Sequence, residues 1–134
     1  RRQLDLHRDA DGRWQVEVSA EGDENAGGMP PPGGDPAGFA AALDCDLGLS
    51  PLTNTMPVRR HGLLAGGGPE EFLMAWVSVP DLSVQPSVQT YTHLSRDEGT
   101  GQSVIRFASD GFQADIVFGA DGFVADYPGI GRRP

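Results

Sequence analysis

The chain has 134 residues, enough for one domain with a single hydrophobic core. Its 10 Lys and Arg against 19 Asp and Glu give a net charge of -9, which argues against nucleic acid as a partner. The single cysteine, Cys45, excludes an internal disulfide and a thiol-based zinc cluster. We therefore expect a reducing compartment, the cytoplasm.

The N-terminus carries neither an initiating Met nor the apolar segment of a secretory signal. No apolar run approaches the roughly 20 residues of a membrane span, so no stable membrane anchor is predicted. Because the first residues already alternate like the edge of a strand, we expect that an N-terminal segment of the natural protein is missing from this chain.

Apolar and polar residues alternate on both sides of a turn at residues 9–12, which ends in Gly12. This pattern predicts a β-hairpin over residues 1–19. In the next segment, residues 21–38, ten of eighteen residues are Gly or Pro, which predicts a flexible surface loop inside a single domain spanning residues 1–134. Residues 37–43 are the one candidate for a short helix.

Residues 70–80 are apolar on both faces, with Phe72, Met74 and Trp76 on one side and Leu73, Ala75, Val77 and Val79 on the other. A strand beside water normally has one polar face. The missing segment or a partner subunit would cover the second face, or else one face lines an apolar ligand cavity.

Alternating runs at 87–94, 103–107, 112–118 and 123–127 are separated by Gly-containing turns, which is typical of an antiparallel meander. In the third run, the alternation predicts inward positions for Phe112, Ala114, Ile116 and Phe118. The fold class is therefore mainly all-β, with at most one short helix.

The stretch between residues 43 and 60 is rich in polar groups whose roles stay open. Asp44 and Asp46 share one side of a predicted strand, where two solvated acids are favoured over an acid–base pair or a metal site. Thr53, Asn54 and Thr55 favour a structural turn. Cys45 is expected to be a small buried hydrophobe.

Arg59 and Arg60 would point to opposite faces of a strand, so only one could enter the interior. Burial of that arginine requires a carboxylate partner, for which Asp44 or Asp46 is the nearest candidate. Alternatively, the inward arginine anchors a phosphate or a sugar acid. The three histidines lack metal-binding spacing, so neither a metal nor a cofactor is predicted.

Three motifs, Asp-x-Asp-Leu, Thr-Asn-Thr-x-Pro-Val-Arg-Arg and a late Asp-Tyr-Pro-Gly, together resemble a bacterial family of glycolipid-binding proteins, formerly a domain of unknown function. The matching positions are Asp44, Asp46, Leu47, Thr53, Asn54, Thr55, Pro57, Val58, Arg59, Arg60, Asp126, Tyr127, Pro128, Gly129 and Arg132. Val79-Pro80 and residues 89–91 also look like the family, so the resemblance covers most of residues 43–134.

The resemblance implies a strongly curved antiparallel sheet, an open or half β-barrel similar to bacterial lipoprotein carriers, whose apolar concavity holds acyl chains. Candidate ligand contacts are then apolar residues for the chains and donors for a head group at the rim. For the chains, these residues are Phe72, Met74 and Trp76 of the doubly apolar strand with Phe107, Phe112, Ile116 and Phe118. For the head group, they are Asn54, Tyr91 and one of Arg59 and Arg60. The other motif residues would be structural.

The leading expectation is a non-enzymatic protein that binds a lipid or glycolipid. If Phe72, Met74 and Trp76 packed fully against protein, this expectation would fail. One alternative is a structural subunit that forms a homo-oligomer through its apolar face. Another is a hydrolase-like enzyme that uses Asp44 or Asp46 with His61 or His93.

Overall fold

The computed structural model describes residues 1–21 and 28–134. It contains nine strands, two 3₁₀ helices and one short α-helix. The strands are β1 (Arg2–Arg8), β2 (Trp14–Ala20), β3 (Cys45–Leu47), β4 (Glu70–Val77), β5 (Val84–Arg96), β6 (Ser103–Ser109), β7 (Phe112–Phe118), β8 (Val124–Tyr127) and β9 (Gly131–Arg132). The 3₁₀ helices are Pro36–Phe39 and Pro51–Asn54, and α1 is Thr55–Arg60.

Strands β1 and β2 form a two-stranded sheet, and the other seven form one sheet in the order β3-β4-β5-β6-β7-β8-β9. From β5 to β9 each strand is antiparallel to the next, whereas β3 is parallel to β4. The predicted fold class is confirmed: a mainly β protein with a curled sheet of the half-barrel type.

The loop predicted at residues 21–38 is described only in part, because residues 22–27 lie outside the described residues. The remainder is not all irregular. Gly33 forms an isolated bridge with Ser83, and Asp35 caps the 3₁₀ helix Pro36–Phe39 by accepting a hydrogen bond from the Ala37 amide at 3.0 Å. This short helix begins near the position expected for one, at residues 37–43.

The chain divides into two compact units, residues 1–48 with 73–87 and residues 49–72 with 88–134. In the first unit the predicted hairpin is present, with Leu6 opposite Val16. Its apolar face packs on Ala75 and Val77 of β4 together with Phe39. The Trp14 indole donates to the carbonyl oxygen of Ala42 at 2.9 Å. The hairpin of the same chain thus covers this face of β4. The expectation that a missing segment or a partner subunit covers a face of β4 stays a prediction for the opposite face alone.

The turn between β4 and β5 is organised by the carboxylate of Asp81, which is buried. Its two oxygens accept hydrogen bonds from the hydroxyls of Ser78 at 2.7 Å and Ser83 at 2.5 Å. Arg2 donates to the backbone oxygen of Asp81 at 2.8 Å and so ties β1 to this turn. The Ser83 and Ser78 hydroxyls hold the pKa of Asp81 below its usual value of 3.8.

We expect Asp81→Asn to lower the free energy of unfolding at neutral pH by about 1 to 3 kcal/mol, because an amide cannot replace both accepted hydrogen bonds. A lowered folded-state pKa gives stability that is complete above the unfolded pKa and is lost as pH falls through the folded value. The difference between wild type and variant should therefore narrow below about pH 4. Urea unfolding across pH checks this, and a difference independent of pH would contradict it.

In the second unit, one face of β5, β6 and β7 carries the core, which includes Ile105, Ile116 and Phe118. Val58 from α1 and Leu63 just after it complete this core. The prediction of a strand through Arg59 and Arg60 is wrong, because residues 51–60 are helical.

The buried residues of that segment explain why it is helical. Asn54, Thr55 and Val58 are buried at helical rather than alternating spacing. Pro57 stands in the first turn of α1, where its missing amide is tolerated. Gly62, at a φ of 64°, follows the helix and suits its termination.

Candidate functional site

The two acids of the first motif lie in the first unit, Asp44 just before β3 and Asp46 within it, opposite Trp76 of β4. Both are buried, so the expectation of two solvated acids is wrong. The physical reason is that β3 joins the sheet beside an apolar strand instead of lying at a wet surface. Cys45 stands between the two acids in the sequence and is half-buried. Burial raises the pKa of its thiol, so the thiol is a poor nucleophile.

Arg59 and Arg60 are both exposed at the end of α1. The predicted buried arginine is therefore absent, because successive residues of a helix turn by about 100° and both can face water. The stem of Arg59 lies over the turn at Gly122: its Cγ and Cδ are 2.8 Å from where a Cβ on that glycine would stand. A glycine at this position, with a φ of 85°, leaves room for the arginine.

Asn54 and Tyr91 were predicted to donate hydrogen bonds to a ligand head group at a solvent-facing rim. This predicted location is wrong. Tyr91 is 0% exposed, and Asn54 is buried beside it. The Asn54 amide donates to the Tyr91 hydroxyl at 2.9 Å, and that hydroxyl donates to the side-chain oxygen of Gln89 at 3.4 Å. These groups form a polar link inside the core, because the face of β5 that carries Gln89, Tyr91 and His93 is the buried one.

Four successive aromatic contacts run across the second unit. Ring centroids are separated by 4.6 Å from His61 to Phe72, 5.7 Å from Phe72 to Tyr91, 5.3 Å from Tyr91 to Phe107 and 6.0 Å from Phe107 to Phe112. Tyr91 and Phe107 in the middle are buried, whereas His61 and Phe112 at the two ends are exposed. We call these five rings the aromatic row.

The residues expected to line an acyl cavity are mostly covered by protein. Met74 and Phe107 are buried, while Phe72 and Trp76 are half-buried. Full burial of Phe72, Met74 and Trp76 would have argued against a ligand cavity beside them. Of the three, only Met74 is fully buried. Phe107 belongs to the core that Val58 closes from α1.

The predicted inward positions on β7 hold for Ala114, Ile116 and Phe118 but not for Phe112, which is half-exposed. Phe112 is the first residue of β7, directly after a tight turn in which Asp110 and Gly111 have φ of 43° and 78°. The ring contacts Phe107 of β6 and is otherwise half open to solvent.

Around the exposed Phe112 ring the structure has an open groove with a volume of about 300 Å³. Its lining residues come from the middle of β5 and from the β6–β7 turn with the adjoining ends of those strands: Val88, Thr90, Ala108, Ser109, Asp110, Gly111, Phe112 and Gln113. Both apolar and polar residues line it. The sequence signal that could have indicated this groove is an aromatic residue placed immediately after a Ser-Asp-Gly turn.

The C-terminal motif is a structural turn between β8 and β9. Tyr127 is buried in the core, its carbonyl accepts a hydrogen bond from the Ile130 amide at 3.0 Å, and Gly129 has a φ of 78°. Pro128 lies within this turn. Asp126 pairs with Arg132 across it at 3.3 Å.

The surroundings of three further motif residues, Thr53, Thr55 and Pro57, also indicate a structural role. The Thr53 hydroxyl donates to the carbonyl of Ser50 at 3.4 Å, and Pro57 is buried. The Thr55 hydroxyl is buried and has no hydrogen-bond partner among residues 1–21 and 28–134.

Histidine contacts give no support to the hydrolase alternative. The His93 Nδ1–H donates to the carbonyl of Leu63 at 2.7 Å, and His61 packs on Phe72. In the described part of the chain no group of three or more His, Cys, Asp or Glu is placed to hold a metal ion. No helix in the same residues is long and apolar enough to cross a membrane.

One protein-family sequence model covers the strands, the helical segment and the closing turn described above. The model, described as "Putative glycolipid-binding", matches residues 1–133. The chain belongs to this family. The expected resemblance is thereby confirmed.

A crystal structure of a DUF1089 family protein from Pseudomonas aeruginosa is similar to this chain, with a TM-score of 0.70 and 28% identity over 98% of this chain. The chain spans 61% of the length of that protein. No curated protein sequence matches the chain.

The buried amide–phenol bond can be tested directly. We expect Tyr91→Phe to lower the free energy of unfolding by about 1 to 3 kcal/mol, because the Asn54 amide loses its acceptor in a dry site. A double-mutant cycle with Asn54→Leu, measured by chemical denaturation, isolates the pair, and we expect a coupling of about 0.5 to 3 kcal/mol. Strictly additive effects would show that the two groups do not stabilise each other.

Proposed function

We propose that this protein binds a neutral glycolipid without covalent chemistry and that the groove beside Phe112 holds the sugar of the head group. The observation that carries the proposal is the half-exposed Phe112 ring in a groove with mixed polar and apolar walls. The description of the family as glycolipid-binding supports the ligand class.

A sugar has two chemically different surfaces, hydroxyl groups around its edge and C–H groups on its faces. The exposed ring of Phe112 suits the C–H face, as aromatic rings do for other apolar surfaces. Asp110, Gln113 and Thr90 supply acceptors and donors for hydroxyl groups. Because Asp110 is acidic, the groove favours a neutral head group over a phosphate or a sugar acid.

The size of the groove also limits the ligand. Its volume of about 300 Å³ is at the lower end of the range for small-molecule sites. It therefore suits a head group of about one sugar rather than a long acyl chain. The aromatic row leads from this groove towards the buried Phe107 and Tyr91, so an acyl chain would need side chains of the core to move.

The absence of covalent chemistry is part of the proposal, and the contacts of the histidines are consistent with it. His93 and His61 contact a backbone carbonyl and an aromatic ring respectively, and the Cys45 thiol has a raised pKa. A binding role needs only shape, stacking and hydrogen bonds, which the groove offers.

The test uses octyl glucoside below its micelle concentration, followed by NMR chemical shifts of backbone amides. We expect the largest shifts at residues 88–90 and 108–113, and weaker binding of octanol, which has the chain without the sugar. Phe112→Ala should raise the Kd about fivefold, since an aromatic contact is worth about 1 kcal/mol, while Phe112→Tyr should bind like wild type.

Phe123→Ala is the matched control, because Phe123 is similarly exposed but does not line the groove. Its Kd should equal that of wild type. Equal losses in both variants, or shifts centred elsewhere, would contradict the assignment of the groove.

A further inference from the structure

Residues 49–56 expose an apolar surface that the groove does not use. Leu49 is 72% exposed, Leu52 62% and Met56 36%. Leu52 and Met56 lie four residues apart in the helical segment 51–60, and Leu49 precedes that segment by two residues. We call these three residues the apolar ridge. The opposite side of the segment, with Asn54, Thr55 and Val58, is buried, so the segment is amphipathic.

A role in packing does not account for the ridge. Leu49 has a φ of 63°, a left-handed conformation that leucine rarely adopts and that costs of the same order as a buried methyl group contributes. It is also the most exposed of the large hydrophobic residues in the described part of the chain. The local backbone conformation thus keeps the large apolar side chain of Leu49 exposed to water.

The stretch of sequence that carries the ridge has a net charge opposite in sign to that of the whole chain. Residues 47–69 contain no Asp or Glu, although the chain has 19, and their only charged side chains are Arg59 and Arg60. Both arginines are exposed. They follow Met56 by three and four residues, so they lie on the same side of α1 as Met56.

We propose that the apolar ridge and the two arginines dock this protein reversibly on an anionic lipid bilayer. Apolar side chains flanked by arginine match the boundary between acyl chains and head groups, where the former insert and the latter meet lipid phosphates. The net charge of -9 does not prevent this, because acids farther from the surface than about 8 Å are screened at physiological salt.

Arginine placement also favours a bilayer over a second copy of the chain. A two-fold dimer through the ridge would place the same surface on both sides of the interface. Such an interface would bring together a surface with two arginines from each copy and, from residues 47–69, no acid to pair with them. A lipid surface offers opposite charge instead.

The experiment is vesicle flotation at about 0.15 M salt, with vesicles of phosphatidylcholine alone or mixed with phosphatidylglycerol. We expect wild type to float with the mixed vesicles and to be released at about 1 M salt. Leu49→Gln with Leu52→Gln should reduce binding about tenfold or more, because two exposed leucines no longer leave water. Arg59→Gln should reduce it about fivefold, while Arg59→Lys retains it.

Leu43→Gln with Leu94→Gln is the matched control, since these leucines are exposed elsewhere on the chain, and it should bind like wild type. The vesicles contain no glycolipid, and Phe112→Ala should float with the mixed vesicles like wild type. The flotation result is therefore independent of the sugar site proposed in the groove. Failure of wild type to float, or equal loss in the control pair, would overturn the proposal. A wild-type dimer mass in light scattering that the ridge variant converts to a monomer would overturn it in favour of self-association.

Discussion

The second unit depends on the packing of one helical segment against the sheet. Val58 and Leu63 meet Tyr91, Phe107 and Ile116 in a single core, and without the segment those large side chains would face water. The bond from Asn54 to Tyr91 orients this contact, because apolar packing alone has no direction. Both surfaces with a proposed role are linked to this packing: the buried side of the segment leaves the ridge exposed on the other side, and the filled core leaves Phe112 exposed at one end of the aromatic row.

Alternation was sufficient to predict the hairpin and the meander, because a period of two sorts the residues of a strand onto its two faces. The strand at residues 70–80 was predicted instead from apolar residues on both faces. The helical segment was missed since it has only six α-helical residues and two prolines near it resemble turn signals. The burial of Asp44 and Asp46 was missed for a related reason: period two sorts residues into faces but does not say which face is wet.

The family was recognisable from motifs, yet the motifs turned out to mark structure more than a ligand site. Tyr127 and Gly129 build a turn, and Asn54 joins a buried polar link. The local geometry of the fold restricts which residues can stand at these positions. A sequence motif shows that restriction but not its cause. The groove at Phe112 contains none of the motif residues, so motif matching could not have located it.

The docking of the hairpin on β4 has a consequence for synthesis of the chain. Val16 and Ala75 pack in the same cluster although about sixty residues separate them, a separation whose loop-closure entropy is modest. During translation, however, the hairpin emerges first, and at about 5 to 20 residues per second its apolar face waits several seconds for β4. An isolated two-stranded hairpin is marginally stable in that interval. The first unit therefore completes its core only after β4 has been synthesised, and slower synthesis lengthens the time for which the apolar face of the hairpin is exposed.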